Sequence, residues 1–234
     1  MAHSSHGRGS MIAAAVLYTI GTGLVHAAAI TVPAGLNPGD HYRLVFITTN
    51  AHEAISANIS DYDSFVTAEA NSNAALLALG TTWVAIGSTD TVNAFDHIGG
   101  SFTIPIYNLA GSQVATGSTD LWDGTIGAPI EYDQNGDLTS AQVWTGTSSN
   151  GQQSTFPLGA GSGLVSTYGA SSQTNSAWVL SDQIGQRTPF ELYGISGTLT
   201  VPGAAVPEPN TLGLVGLVVA VAGLVRSQMH PRSS

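Results

Sequence analysis

Residues 41–48 read HYRLVFIT and open the folded part of the chain. The alternation in this segment and its richness in strand-forming residues predict a β-strand. The residues just before it, Asn37-Pro-Gly-Asp40, are typical turn formers and predict a turn at the start of the strand.

A helical segment is predicted next. Ser60 and Asp61 are suited to cap its start, apolar residues recur near helical spacing from Phe65 to Leu79, and Gly80 is suited to end it. Short strands are predicted at 83–86, 104–107, 142–147, 177–181 and 191–201, and glycine- and serine-rich stretches such as 146–154 and 159–175 are predicted loops. One helical region followed by short strands favours an α+β class.

The composition excludes several classes of function. The 234 residues carry a net charge of -10 and no lysine, so the chain lacks a basic surface for nucleic acid. A lysine Schiff base and a P-loop are also excluded, because both require a lysine. The chain also has no cysteine, which excludes disulfides, cysteine nucleophiles and thiolate metal sites.

The N-terminal end has the pattern of a secretory signal peptide. A polar segment with Arg8 precedes an uncharged apolar run over 11–25, and the small residues Ala27 and Ala29 follow it. A charged start, a short apolar run and a small-residue cleavage site define such peptides. We predict a signal peptide over 1–29, followed by one extracellular domain over 30–203.

The C-terminal end has three parts in a fixed order. Val206-Pro-Glu-Pro209 is followed by an uncharged apolar run over 211–225 and then by Arg226. Pro207 and Pro209 favour an extended backbone in the motif. As a helix, the run would be about 22 Å long, shorter than the roughly 30 Å core of a bilayer. We predict a transmembrane helix over 211–225, with Arg226 on the cytoplasmic side of the membrane.

This tail, residues 204–234, resembles the PEP-CTERM sorting domain of bacteria that make exopolysaccharide. The elements that carry the resemblance are Val206, Pro207, Glu208, Pro209 and Arg226 around the apolar run. The resemblance implies processing by an exosortase, a membrane-embedded cysteine protease. It also implies export to the cell surface or extracellular matrix, with transient anchoring in the inner membrane.

A second resemblance covers roughly residues 40–200. The segments Val143-Trp-Thr-Gly146, Asn150-Gly151 and Glu191-Leu-Tyr-Gly194 resemble the endostatin-like branch of the C-type-lectin-like fold. This implies an α+β domain with one or two helices and short, mostly antiparallel strands. It also implies pairing of 43–48 with 192–199, which would place both tails on one side. That family usually has cysteines near 155–158 and Gly194. Because this chain has none, packing alone would hold the domain together.

One candidate ligand site is Asp120-Leu-Trp122-Asp123. An aromatic ring for stacking between two carboxylates is a plausible arrangement for holding a sugar. The alternative, which we favour, is a core tryptophan with flanking turn acids, because large aromatic residues are usually buried. The other tryptophans, Trp83, Trp144 and Trp178, lie within predicted strands and are expected in the core.

A second candidate site is Asp133-Gln-Asn135-Gly-Asp137, which looks like half of a calcium loop. An EF-hand starting at Asp133 needs glycine at its sixth position and glutamate at its twelfth, but Leu138 and Trp144 stand there. We therefore favour a polar turn with Asn135 and Gly136 at its apex. A weak Ca²⁺ site at Asp133, Asn135 and Asp137 is the alternative.

These features predict an exported, non-enzymatic protein that acts in adhesion, carbohydrate binding or association with a biofilm exopolysaccharide. One alternative is an extracellular hydrolase of polysaccharide or peptide, although no pair of acids is singled out for it. A second alternative is a purely structural surface protein that self-associates. No catalytic residue is predicted, and no two of His41, His52 and His97 have metal-ligand spacing.

Overall fold

The computed structural model describes residues 28–161 and 164–203. Its strands are β1 (His41–Ile47), β2 (Trp83–Ala85), β3 (Ile106–Asn108), β4 (Gln113–Ala115), β5 (Gln142–Trp144), β6 (Val165–Ala170), β7 (Asp182–Gly185), β8 (Glu191–Ser196) and β9 (Leu199–Thr200). Its helices are α1 (Ile59–Ser72), α2 (Ala74–Leu77), α3 (Ala94–His97), α4 (Ser118–Leu121) and a 3₁₀ turn (Ser176–Trp178). Most of the predicted signal peptide and the whole predicted tail from residue 204 lie outside the described residues.

The nine strands form one mixed sheet. The main order is β4-β3-β1-β8-β5-β6-β7, while β2 also pairs with β8 and β9 with β1. The pairs β1–β3 and β5–β8 are parallel, and the other pairs are antiparallel. The sheet therefore organises the described part of the chain, and its helices, apart from α1, are of about one turn.

The predicted α+β, C-type-lectin-like fold is wrong. A single nine-stranded mixed sheet organises the described residues instead. The physical reason is strand pairing over long distances in sequence: the stretch expected as a loop contains β6, which pairs with β5 and β7, and β8 pairs with β1, β2 and β5. Gly194 of β8 is closely packed in this sheet, since a Cβ atom there would lie 2.6 Å from both Phe46 and Val66.

No helix among residues 28–161 and 164–203 is long and apolar enough to cross a membrane. The C-terminal apolar helix expected as part of the fold is therefore not among the described elements. Its predicted span, 211–225, lies outside them.

The predicted pairing of the first and last strands is confirmed. Val45 lies opposite Ile195 and Ile47 opposite Tyr193 in the antiparallel β1–β8 pair. Strand β9 continues the pairing on the start of β1, where Tyr42 lies opposite Leu199. The strand predicted at 41–48 thus lies inside the sheet, with β3 on its other side.

Strand β1 separates two hydrophobic cores because its side chains alternate between the two faces of the sheet. Val45 and Ile47 belong to one core, together with Trp122, Trp178, Tyr193 and Ile195. Tyr42, Leu44 and Phe46 belong to the other, together with Tyr62, Val66, Trp83, Trp144 and Leu192. The predicted burial of Trp83, Trp144 and Trp178 is confirmed.

The helical stretch predicted from Ser60 is present, but it starts earlier and is broken. Asn58 is the N-cap, and its side chain accepts a hydrogen bond from the backbone N–H of Ser60 at 3.3 Å. Asn73 ends α1, and its side chain accepts from the N–H groups of Ala75 and Leu76. An asparagine side chain that bonds the backbone in this way caps a new helix instead of continuing the old one.

Two predictions in the second half of the chain are wrong. The strand predicted at 177–181 begins in the 3₁₀ turn, whose N-cap is Asn175. The loop predicted at 159–175 contains β6, which pairs with both β5 and β7. A Cβ atom at Gly169 in β6 would lie 2.0 Å from the carbonyl oxygen of Trp178, so this glycine permits a close backbone approach.

Both ends of the described domain are attached to the start of β1. The hydroxyl of Tyr42 donates a hydrogen bond to the carbonyl of Thr31 at 2.7 Å. Val201 exchanges backbone hydrogen bonds with Gly39 and Asp40, at 3.0 and 2.9 Å. The chain therefore enters and leaves the sheet beside the same strand, as the predicted placement of both tails on one side requires.

The substitution Gly194→Ala is expected to lower the free energy of unfolding by about 1–3 kcal/mol, the usual cost of overpacking a core. The added methyl group would be forced against Phe46 and Val66. Urea denaturation of both proteins measures the difference. Gly203→Ala is the matched control, because a Cβ atom there meets nothing within 4 Å. Equal stability of the two variants would contradict the packing described here.

Candidate ligand-binding sites

The structure places Trp122 in the core. Its side chain is only 7% exposed. Its ring lies 5.6 Å from that of Trp178, with an interplanar angle of 33°. A sugar stacks on an exposed aromatic face, and Trp122 offers none. The favoured alternative for this segment, a core tryptophan with flanking turn acids, is what the structure shows.

The two acids that flank this tryptophan close local turns. Asp120 Oδ2 accepts from the N–H and the hydroxyl of Thr116, at 2.7 and 3.0 Å. Asp123 Oδ1 accepts from the N–H and the hydroxyl of Thr125, at 2.9 and 3.0 Å. Each of these carboxylates therefore uses one oxygen to bind a neighbouring threonine. The bond from Asp123 to the N–H two residues later is an Asx turn, while Asp120 bonds back to a residue just before its own helix.

The segment from Asp133 to Asp137 forms the predicted turn. Asp133 Oδ1 accepts from the backbone N–H groups of Asn135 and Asp137, at 2.8 and 3.0 Å. Its Oδ2 accepts from the hydroxyl of Thr49 at 3.1 Å. Gly136 supplies the positive φ of +85° at the apex. Both oxygens of Asp133 are thus engaged by donors of the protein itself.

No group of three or more His, Asp or Glu side chains that could hold a metal ion occurs among the described residues. His97 Nε2 lies 2.9 Å from Asp63 Oδ1. His41 Nδ1 instead contacts the hydroxyl of Thr200, and His52 Nδ1 contacts the carbonyl of Glu53. Each of the three histidines within residues 28–203 therefore has a different partner.

A buried carboxylate, not identified from the sequence, connects the Asp133 turn to the helix. Glu69 of α1 accepts from the backbone and side-chain N–H groups of Asn50, at 3.2 and 2.8 Å, and from Gln134 Nε2 at 2.9 Å. Gln134 Oε1 in turn accepts from the N–H of Thr49. Three donors satisfy this buried charge, as burial requires. The sequence signal is an acid between the apolar residues Val66 and Ala70.

The larger of two clefts has a volume of about 650 Å³ and lies beside the segment that follows β1, where Ala54 forms backbone hydrogen bonds with Gln186 and Gly159. Three segments build it, around Ile55, Gly159 and Gln186. Gln186 holds two of them together, since its Nε2 donates to the carbonyls of Ala160 and Val165, at 2.9 and 3.2 Å. The described residues that line the cleft are Ile55, Gly159, Ala160, Gly161, Leu164, Gly185, Gln186, Arg187, Thr188 and Pro189.

This cleft is mainly apolar and has one cation at its rim. Leu164 is 72% exposed and Ile55 is also exposed. Arg187 lies 4.0 Å from Glu53, a distance at which an exposed pair contributes little. None of the described lining residues is acidic or aromatic, so this part of the lining offers neither a carboxyl group for hydrolysis nor a ring for stacking on a sugar.

A smaller cleft of about 240 Å³ lies beside the start of β1. Its lining residues are Arg43, Ile98, Gly99, Phe102, Ile104, Gly197 and Thr198. Arg43 is only 6% exposed, although it carries one of the five positive charges of the chain. The sequence signal for this site, not identified from the pattern alone, is an arginine inside the apolar strand at 41–48.

The guanidinium of Arg43 is fixed by neutral groups. Its Nε donates to the carbonyl of Ser196 at 2.7 Å, and Nη1 donates to the carbonyl of Ile98 at 2.6 Å. The ring of Phe102 lies under the guanidinium, with its centroid 4.8 Å from Cζ, a cation–π contact. Removal from water lowers the pKa of Arg43 to about 10, which still leaves the side chain charged at neutral pH.

No protein-family model matches the chain, and no curated protein matches it significantly. The resemblance of the tail to sorting domains therefore stays a prediction, and any function has to be argued from the residues themselves.

Calcium is expected to leave the melting temperature of the wild-type protein unchanged, because protein donors already engage both oxygens of Asp133. Asp133→Ala is expected to lower the free energy of unfolding by about 1–3 kcal/mol, since the partly buried N–H groups of Asn135 and Asp137 and the hydroxyl of Thr49 lose a charged acceptor. Asp133→Asn is the matched control because it keeps an acceptor at Oδ1. Thermal unfolding with calcium and with a chelator measures both effects. A calcium-dependent rise that Asp133→Asn removes would instead establish the metal site.

Proposed function

We propose that the chain is an exported bacterial protein of the cell surface or extracellular matrix. We further propose that it is not an enzyme and acts in adhesion or in association with exopolysaccharide. One observation carries the proposal: Val206-Pro-Glu-Pro209 stands directly before the apolar run over 211–225, and Arg226 follows the run. A plain membrane anchor requires the run but does not require the four-residue motif.

Each part of the tail has a role in this proposal. Pro207 and Pro209 keep the motif extended, which is the backbone form that proteases bind. The run over 211–225 holds the tail in the inner membrane, and Arg226 keeps the C-terminal end of the run on the cytoplasmic side. Because about 22 Å of helix is short for a bilayer of about 30 Å, the anchor suits a transient stage before an exosortase acts at the motif.

The positions of the chain ends support such a tethered domain. Residues 203–210 provide a short linker between the last strand and the tail. Val201 leaves the sheet beside Asp40, and Thr31 lies against Tyr42 of the same strand. A cut at each end would release a domain whose two termini lie beside one strand, with no sheet pairing broken.

The environment of the acids supports a binding role over hydrolysis. A glycoside hydrolase needs two carboxyl groups roughly 5–10 Å apart across its substrate. No acid is among the described lining residues of either cleft. Asp120, Asp123, Asp133 and Glu69 all accept hydrogen bonds within their own turns or network.

The processing step can be tested by intact mass in a bacterium that carries an exosortase. The wild-type protein recovered from the surface and medium is expected to start near Ile30 and to end near residues 206–209. Glu208→Ala is expected to retain residues 211–234 and to stay in the inner-membrane fraction. Asn210→Ala, just outside the motif, is the matched control and should be processed normally.

Two results would contradict the proposal. The first is a wild-type protein that keeps its tail in the inner membrane although the exosortase is active. The second is equal processing of the wild type and Glu208→Ala. Either result would make the tail an ordinary anchor, and the matrix role would lose its support.

A further inference from the structure

Arg43 is a buried cation without a counter-ion among the described residues. Its hydrogen-bond partners there are the carbonyls of Ser196 and Ile98, and no described carboxylate forms an ion pair with it. A buried charge is expensive unless an opposite charge or a full set of hydrogen bonds compensates it. The domain contains 14 acidic residues, yet none of them forms an ion pair with this arginine.

The guanidinium of Arg43 also has N–H groups that donate to no described residue. It carries five N–H groups, and the two bonds to carbonyls use one on Nε and one on Nη1. The three others have no acceptor among the described residues, and the side chain lines the smaller cleft. Arginine N–H groups bind carboxylates through short, charge-assisted hydrogen bonds. The cleft is therefore equipped to take an anionic group.

The rest of the lining suits a small, partly apolar ligand with hydroxyl groups. Phe102, Ile98 and Ile104 give apolar surface, while the exposed Thr198 supplies a hydroxyl at the mouth. Gly99 and Gly197 leave the backbone uncovered by side chains. At about 240 Å³ the cleft is smaller than the usual 300–1,000 Å³ of sites for drug-sized ligands, so it accommodates one small unit.

We propose that this cleft binds the carboxylate of a sugar acid, a uronate unit within an acidic polysaccharide. Arg43 receives the carboxylate, the apolar side chains contact the C–H face of the ring, and Thr198 contacts a hydroxyl. The single charge, the apolar side chains and the exposed hydroxyl of the lining match the carboxylate, the C–H face and the hydroxyl groups of a sugar acid. The proposal rests on the proposed association with exopolysaccharide.

The test is calorimetric titration of the full-length protein in a neutral detergent. The probes are a trimer of galacturonic acid, the neutral trimer maltotriose, and a short peptide with a free C-terminal carboxylate. Thr198→Trp blocks the mouth and leaves Arg43 in place. Arg43→Lys keeps the charge but loses the planar donor set. Arg187→Lys is the matched control, since Arg187 is the other arginine of the domain and is exposed.

The uronate trimer is expected to bind, and maltotriose to bind at least about tenfold more weakly, as loss of a charged hydrogen bond predicts. Thr198→Trp and Arg43→Lys should each weaken uronate binding by about tenfold or more, while Arg187→Lys keeps the wild-type affinity. Thermal unfolding verifies that each variant is folded. If Arg43→Lys does not fold, the affinity of Thr198→Trp decides the result.

Any of four results would overturn the proposal. They are equal binding of the neutral and acidic trimers, unchanged affinity in Thr198→Trp, tighter binding of the peptide than of the uronate, and absence of binding by every probe. The titration uses purified protein and does not depend on export or on processing of the tail. Its failure is therefore distinguishable from a failure of the proposed sorting.

Discussion

The pairing of β1 with β8 is the constraint on which the rest of the structure depends. It joins segments about 150 residues apart, with Val45 opposite Ile195. The side chains of β1 then alternate into two cores, one behind Trp122 and Trp178 and the other beneath α1. No disulfide is available to close this long loop, so burial of apolar surface on both faces has to stabilise it.

The same pairing creates the smaller cleft and sets the positions of the chain ends. Arg43 on β1 reaches the carbonyl of Ser196 on β8, so the cleft exists only when the two strands are paired. Strand β9 then returns along the start of β1 and brings Val201 beside Asp40. A tether at the tail and a ligand on Arg43 would consequently act on neighbouring parts of one strand. The larger cleft lies beyond the opposite end of β1.

Local patterns made some of this structure predictable. The alternation at 41–48 and the aromatic residues in short apolar runs correctly predicted β1 and the buried tryptophans. Asn135 and Gly136 predicted the turn that Asp133 closes. These features depend on residues close in sequence, where turn and strand preferences decide.

The remaining features depend on contacts that sequence order does not show. Strand β6 is rich in small and polar residues and becomes a strand because β5 and β7 pair with it. Arg43 looks like an ordinary strand residue until Ser196 and Ile98 surround it. The C-type-lectin-like resemblance rested on the order of short motifs, which does not determine how strands pair. Hydrogen–deuterium exchange of the full-length protein tests the central role of β1 most directly. The backbone amides of β1 and β8 are expected to exchange most slowly and to lose protection together. Rapid exchange in β1 and β8, while α1 or the β6–β7 pair stays protected, would contradict it.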